Sequence, residues 1–173
     1  MSAEATAASA NAGIDAATLA ALAAFPAHLA AFYAAVPADR TDWRPPSWDG
    51  VPSEPFSPIE QVCHVRDIEI DGYHVRLART RAEIDPTLDS IDGEALARER
   101  GYAHEDAQAA LTAFAAARVR TLEMLAGVAP AEWSRGAMFE GRRITLRGLV
   151  HLLCSHDEQH LAGLQWLMAR MTA

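Results

Sequence analysis

Two histidines one helical turn apart lie in an otherwise apolar segment near the end of the sequence. They are His156 and His160, within LRGLVHLLCSHDEQHLAGLQWLM. Residues four apart on a helix share a face, so the two imidazoles point the same way. Imidazole is a common metal ligand, and two rings this close can share one ion. The pattern indicates either a metal site or a buried polar network through Gln61, Asp67 or Asp157.

The segment matches the zinc-protease motif H-E-x-x-H-x-x-G-x-x-H only in part. His156, His160 and Gly163 fit the motif. However, Asp157 occupies the position of the general-base Glu, and Trp166 occupies that of the third ligand. Because only 13 residues follow His160, we expect a third ligand from earlier in the sequence.

His64 is the strongest candidate for that third ligand. It lies two turns into a predicted helix that begins SPIEQVCHVRDIE, on the face shared with Gln61, Ile68 and Val75. A histidine on one helix facing an H-x-x-x-H pair on another would give three ligands and an open position. That coordination is typical of catalytic rather than structural zinc sites.

Asp67 and Asp157 are the candidate acid–base residues. Asp67 is one turn after His64, and Asp157 directly follows His156. Either carboxylate could orient the second ring nitrogen of a ligand or accept a proton at the site. The alternative is that each lies on a solvated helix face.

The remaining cysteines and histidines do not fit the ligand pattern. Cys63 and Cys154 are out of phase with the histidines on their helices, and we expect them to pack as small hydrophobic side chains. Four histidines have no paired spacing and are predicted to be surface or packing residues: His28, His74, His104 and His151. His151 could still lie at the mouth of the site. Trp48 and Tyr73 could line its open side.

Four long amphipathic segments must position these residues. They are predicted at 15–36, at 58–82, at 105–126 and from Thr145 to about Met171, with apolar residues every three or four positions. Asp15, Ser57 and Thr145 can cap three of the helix starts. No strand-like alternation occurs. The pattern predicts an all-α, up-down-type four-helix bundle with long connecting loops, in a single domain over 15–173 after a disordered segment at 1–14.

Three connections have patterns of their own. The Pro-rich segment 37–56 predicts an extended loop that wraps the end of the bundle. The acidic segment 83–103 has room for a short helical turn. The segment 133–144 predicts a small hairpin or loop.

Composition narrows the class of protein. The chain has 173 residues, of which 50% are hydrophobic and 22% charged, as expected of one globular domain. With 15 Lys and Arg against 23 Asp and Glu, the net charge is -8, and we expect no nucleic-acid partner. Two cysteines without C-x-x-C spacing fit a reducing compartment. Because neither a signal peptide nor a run of about 18 apolar residues is evident, we expect a cytoplasmic protein with no membrane span.

The order of the motifs resembles the DinB/YfiT-like superfamily of metal-binding four-helix-bundle proteins. A Trp- and Pro-rich loop precedes SPIEQVCHVRDIE, which is followed by AFAAARVRTLEML, by EWSRGAMFEGRRITLRGLV and by HDEQHL. The resemblance covers about residues 15–171. It places the metal-binding histidines of the superfamily on His64, His156 and His160.

The resemblance implies a bound divalent metal ion, with Zn or Ni expected first, and several alternative activities. Members of the superfamily include metal-dependent hydrolases, transferases of low-molecular-weight thiols and a thiol-dependent isomerase. A metal lowers the pKa of its bound water towards about 7, which suits hydrolysis of a small-molecule substrate. It also deprotonates a coordinated thiol, which suits thiol transfer. A non-catalytic metal-binding or stress-response bundle, or a ligand-binding protein, is the competing interpretation. A homodimer is expected, since members often pair through bundle helices.

Overall fold

The computed structural model describes residues 13–171 and is built mainly of helices. Helix α1 is Ala16–Tyr33. Helix α2 is Pro58–Asp67, which continues through a π-helical turn, Ile68–Tyr73, into α3, His74–Ala82. The short α4 is Gly93–Arg100, and the long α5 and α6 are Ala107–Ala126 and Leu146–Met171. The predicted disorder of residues 1–14 falls almost entirely outside the described residues.

The helices begin at the caps that the sequence predicts. The Asp15 carboxylate accepts a hydrogen bond from the Thr18 N–H at 2.9 Å, and the Thr145 hydroxyl accepts one from the Gly148 N–H at 3.1 Å. Two predicted bounds were wrong by two or three residues. Helix α1 ends at Tyr33 rather than at residue 36, and α5 begins at Ala107 because Asp106 caps it.

Four helical segments pack as a bundle, as the sequence predicts, but the order of neighbours is not sequential. The principal partners of α1 are α5 and α6, and α2 packs on the same two helices. Helices α1 and α2 therefore lie diagonally across the bundle. The long connection between them, residues 34–57, allows this arrangement because it can cross the end of the bundle.

A small sheet lies beside the bundle. Strand β1, Thr87–Leu88, pairs in parallel with β2, Gly136–Phe139, and β2 pairs antiparallel with β3, Arg142–Thr145. The β2–β3 hairpin confirms the hairpin predicted for residues 133–144. Its turn residues Glu140 and Gly141 both have positive φ, 50° and 73°, as a two-residue type I′ turn requires. The sequence did not reveal β1, since two residues are too few to show alternation.

The core has two apolar clusters with buried charges among them. One cluster contains Phe25, Leu29, Val62, Phe114 and Leu164, and the other contains Leu22, Leu77, Leu146, Leu149 and Leu153. Arg118, only 1% exposed, donates hydrogen bonds to both carboxylate oxygens of Glu69 at 2.6 and 2.7 Å and to those of Asp157 at 2.8 and 2.9 Å. This charge cluster joins α5, the π turn and α6.

The π turn changes the face that the second long segment presents to the bundle. Gln61, His64 and Ile68 are buried on the predicted face, but Val75 is 48% exposed, so its predicted inward position was wrong. A π turn contains more residues than an α turn, and the residues after it are therefore rotated from their α-helical positions.

Helix α1 is long and apolar enough to cross a membrane, and it is the one helix of the described residues that meets this test. No such segment was predicted from the sequence. One helix of this kind is weak evidence for a membrane span, because core helices of globular proteins pass the same test. The side chains of Leu22, Phe25 and Leu29 pack into the bundle core.

Candidate metal centre

The three predicted ligands come together in the structure. His64 lies on α2, and His156 and His160 lie on α6; one nitrogen from each ring falls within 4.8 Å of the other two. The Nε2 atoms of His64 and His156 are 3.1 Å apart. Two nitrogens bound to one tetrahedral ion at about 2.1 Å would be roughly 3.4 Å apart, so the spacing suits a shared ion. The inward face predicted for α6 is confirmed. Its members Leu149, Leu153, His160, Leu164 and Leu167 are buried, and His156 is half-buried.

A hydrogen bond to Gln61 determines the tautomer of His160. The Gln61 amide nitrogen donates to the Ser53 hydroxyl at 2.8 Å and to the Phe56 carbonyl at 3.2 Å. The Gln61 oxygen must then be the acceptor in its 2.6 Å contact with His160 Nδ1, so Nδ1 carries the proton. His160 Nε2 is left unprotonated, buried and without a hydrogen-bond partner among residues 13–171.

Close packing holds the His64 ring in position. The Phe56 ring lies 4.9 Å from the His64 ring, centroid to centroid. On another side is Gly93, the first residue of α4, where an added Cβ would lie 2.5 Å from His64 Cε1. Only glycine therefore fits at position 93 without moving the imidazole. His64 Nδ1 is buried and has no hydrogen-bond partner in the described part of the chain.

Burial keeps all three imidazoles neutral at pH 7. It lowers the pKa of His64 to about 4 and that of His156 to about 3, with the neighbouring His64 ring also lowering the latter. The pKa of His160 is lowered well below its usual value for the same reason. A neutral imidazole offers a lone pair, which is the form that binds a metal ion.

The carboxylate of Glu54 lies beside the three histidines. Its Oε2 is 3.4 Å from His160 Nε2, and its Oε1 is 4.0 Å from His64 Nε2. Glu54 comes from the Pro-rich loop between α1 and α2, and its side chain is 37% exposed. The site thus has a partly solvated carboxylate next to two buried imidazoles and one half-buried imidazole.

The histidine cluster opens into a cavity of about 630 Å³. Glu54, His64 and His156 form part of the wall, together with Tyr73 and residues of the β2–β3 hairpin. The Tyr73 ring lies 6.0 Å from the His156 ring, which agrees with its predicted place at the open side. Trp48 instead stacks on Trp166, with ring centroids 6.0 Å apart.

Asp67 and Asp157 have other partners than the histidines. Asp67 accepts hydrogen bonds from Arg66, Tyr102 and Arg100, and although burial raises its pKa, these donors hold the pKa below the usual value. Asp157 accepts hydrogen bonds from Arg118, but burial outweighs the effect of this cation and raises the pKa of Asp157 to about 7, with the negative charge of Glu69 acting in the same direction as burial. The alternative of a solvated helix face was also wrong, since both residues are 3% exposed.

Among the described residues, the group that could hold a metal contains neither cysteine and none of the other four histidines. Cys63 is fully buried, and burial raises its pKa to about 12, so its thiol stays protonated. His74 contacts the Ala117 carbonyl at 3.1 Å and the Thr121 hydroxyl at 3.0 Å, a packing role. The other three histidines, His28, His104 and His151, are exposed, as predicted for surface residues.

Three contributors to the site were not found in the sequence: Glu54, Gly93 and Arg76. Glu54 and Gly93 lie in connecting segments that have no helical periodicity. Arg76 follows the π turn, after which residues are rotated from the positions that a continuous α-helix predicts. No spacing rule relates these residues to the histidines, so only the folded chain identifies them.

Comparison with known proteins agrees with this architecture. The profile of the DinB superfamily matches residues 16–164. A solved structure, YfiT from Bacillus subtilis, is described as a probable metal-dependent hydrolase with an unusual four-helix bundle topology. The two structures match with a TM-score of 0.80 over 92% of this chain and 91% of YfiT. Because the two sequences are only 20% identical, the similarity concerns the fold. No curated protein sequence matches significantly. Because the superfamily profile spans most of the chain, this protein belongs to the DinB superfamily.

Proposed function

We propose that this protein is a divalent-metal-dependent hydrolase whose metal ligands are His64, His156 and His160. One observation carries the proposal: three neutral imidazoles converge, two of them, His64 and His156, on the wall of an open cavity, with a carboxylate beside them. The description of YfiT as a probable metal-dependent hydrolase supports the same activity.

The residues present fit a metal ion. His160 Nε2 is buried with no hydrogen-bond partner in residues 13–171, and a buried unsatisfied nitrogen calls for an explanation. A bound cation supplies one. Three imidazole nitrogens suit Zn or Ni, whereas Mg and Ca prefer oxygen ligands. When bound, the ion would supply Lewis-acid activation of a nucleophile and stabilisation of developing negative charge.

Glu54 is the proposed proton acceptor. Its carboxylate faces the histidine cluster and is also partly exposed to the cavity. A carboxylate in this position can take a proton from an attacking nucleophile and return it to a leaving group. The solvated side of Glu54 gives that proton a route to water.

The open cavity supports an enzyme rather than a structural metal site. Structural zinc sites are closed by four protein ligands. Here three histidines converge, and the cavity beside them has room for a small molecule. Neither Cys63 nor Cys154 would be a nucleophile, because burial raises the pKa of both thiols, to about 12 and about 11.

Elemental analysis of the untagged protein tests the ligand set. We expect about one divalent ion per chain in the wild type and in His151→Ala, which changes an exposed histidine on the same helix. His64→Ala and His160→Ala should each lose the ion while circular dichroism stays helical. Full metal content in both of these variants would contradict the proposal.

Activity screens on the metal-loaded protein test the reaction class. We expect hydrolysis of activated esters such as p-nitrophenyl esters, and a decrease of about 10²–10⁴-fold in Glu54→Gln with the metal retained. Loss of metal in Glu54→Gln would instead make Glu54 a ligand. Metal-dependent addition of a low-molecular-weight thiol, without hydrolysis, would replace the proposed hydrolase by a thiol transferase.

A further inference from the structure

Arg76 is a buried cation without a carboxylate partner among the described residues. It is 5% exposed, and its Nε and Nη2 donate to the backbone carbonyl of Asp89 at 3.2 and 3.0 Å. Buried arginines are normally paired with an anion, since an uncompensated buried charge is costly. The described part of the chain provides a carbonyl dipole but no ion pair for this guanidinium.

The guanidinium is held rigidly in this place. It stacks on the Phe139 ring at 4.5 Å and on the Tyr73 ring at 5.3 Å. Gly72, in the π turn, makes room for it, because a Cβ at position 72 would lie 3.0 Å from Nη1. π turns within α-helices are frequent at functional sites. A preorganised arginine loses little conformational entropy when it binds a ligand.

Arg76 lies on the wall of the cavity that also contains His64 and His156. Tyr73 lies between the two sites, since its ring is close both to Arg76 and to the His156 ring. Two more arginines line the cavity, Arg142 and Arg143, of which Arg143 pairs with Asp85 at 2.8 Å. Glu54 and Glu140 line the same cavity, so its three arginines exceed its carboxylates by one.

We propose that Arg76 binds a carboxylate group of a small-molecule substrate whose reacting group faces the histidine cluster. This inference rests on the proposed function and names the substrate class of the same site. A carboxylate matches the single charge and the planar donors of one guanidinium, whereas a phosphate dianion carries more negative charge than the one buried guanidinium of Arg76 neutralises. The substrate is therefore a small acid in which a carboxylate is separate from the bond that reacts.

Binding of benzoate to the metal-free, full-length protein tests the inference. Benzamide is the neutral control and inorganic phosphate the competing anion. In ¹H–¹⁵N NMR at pH 7.5, we expect benzoate to shift the Arg76 Nε–H and Tyr73 amide signals saturably, while benzamide should not. Phosphate should bind at least tenfold more weakly than benzoate. Because the metal is absent, the result does not depend on the histidine site.

Substitutions locate the binding site. Arg76→Met should weaken benzoate binding at least tenfold, and the matched control Arg142→Met, at an exposed position of the same cavity, should weaken it less than threefold. If Arg76→Met does not fold, the shift of the Arg76 Nε–H signal in the wild-type protein still shows whether benzoate binds at Arg76. Unchanged Arg76 signals, equal binding of benzamide, or preference for phosphate would overturn the inference. Those results would leave the proposed metal site unaffected. Absence of metal binding would instead overturn the proposed function, and carboxylate binding by Arg76 alone would then remain.

Discussion

The side-chain oxygen of Gln61 accepts a hydrogen bond from His160 Nδ1 at 2.6 Å and so leaves Nε2 of this ring with a free lone pair, in the cluster that His160 forms with His64 and His156. Hydrogen bonds of this kind orient metal-ligating histidines, and their loss typically lowers metal affinity 10–100-fold. In Gln61→Leu the Nδ1 proton has no acceptor. We expect about that decrease in zinc affinity, measured by competition with a chromophoric chelator.

Two other variants make the Gln61 experiment specific. Gln61→Glu keeps an acceptor for His160 and should retain more affinity than Gln61→Leu. Gln108→Leu, at an exposed position of α5, should leave affinity unchanged. Equal affinity in Gln61→Leu and the wild type would show that Gln61 does not orient the ligand.

Gly93 is predicted to be essential for the position of His64. A Cβ at residue 93 would lie 2.5 Å from Cε1 and 2.9 Å from Nδ1 of the His64 ring, so Gly93→Ala must displace the imidazole. We expect zinc affinity to fall at least tenfold. The control is Gly127→Ala, where an added Cβ would have contacts of 3.8 Å or longer. If both variants bind zinc as the wild type does, the His64 position is not limited by Gly93.

The buried Arg118 cluster is predicted to be needed for stability. Arg118→Met would leave the carboxylates of Glu69 and Asp157 buried without their cation. Breaking a buried ion pair in this way costs about 3–5 kcal/mol. Urea unfolding at pH 7.5 should show this loss. The control is Arg98→Met, because the Arg98 side chain is 71% exposed and its ion pair with Glu94 is 3.9 Å long. This substitution should change the free energy of unfolding by less than about 0.5 kcal/mol. A loss below about 1 kcal/mol in Arg118→Met would contradict the prediction.

The metal-free protein should lose stability as the pH falls from 7 to 5. Burial lowers the pKa of His64 to about 4 and of His156 to about 3, whereas the unfolded chain has the ordinary value of about 6.5. The unfolded state therefore binds more protons in this pH range, and the free energy of unfolding decreases as the pH falls. Each of the two groups should contribute about 2 kcal/mol to that decrease.

The matched variant for the pH experiment is His64→Gln combined with His156→Gln. Asp157, whose pKa burial raises to about 7, acts in the opposite direction because its folded form binds a proton more readily than its unfolded form. Since Asp157 is present in both proteins, the difference between their urea unfolding curves at pH 7 and pH 5 isolates the two histidines. Parallel pH dependence in both proteins would contradict the prediction.

Periodicity and capping chemistry in the sequence determined the helices and the candidate ligands. The i, i+4 spacing of His156 and His160 and the caps Asp15 and Thr145 are local features, and local features do not depend on how the helices pack. The same reasoning placed His64 on the inner face of α2, where the structure has it. The cytoplasmic location and the homodimer stay predictions.

Only the tertiary structure decided what surrounds those histidines. Asp67 and Asp157 are close to the histidines in sequence, yet their carboxylates pair with arginines from other elements, Arg100 and Arg118. A buried carboxylate needs a cation as its partner, and a neutral histidine nearby on the same helix does not supply one. Glu54, Gly93 and Arg76 reach the site from a loop, the start of a short helix and a segment rotated by a π turn. Contacts of this kind depend on the relative placement of separate elements, which the period of one helix does not encode.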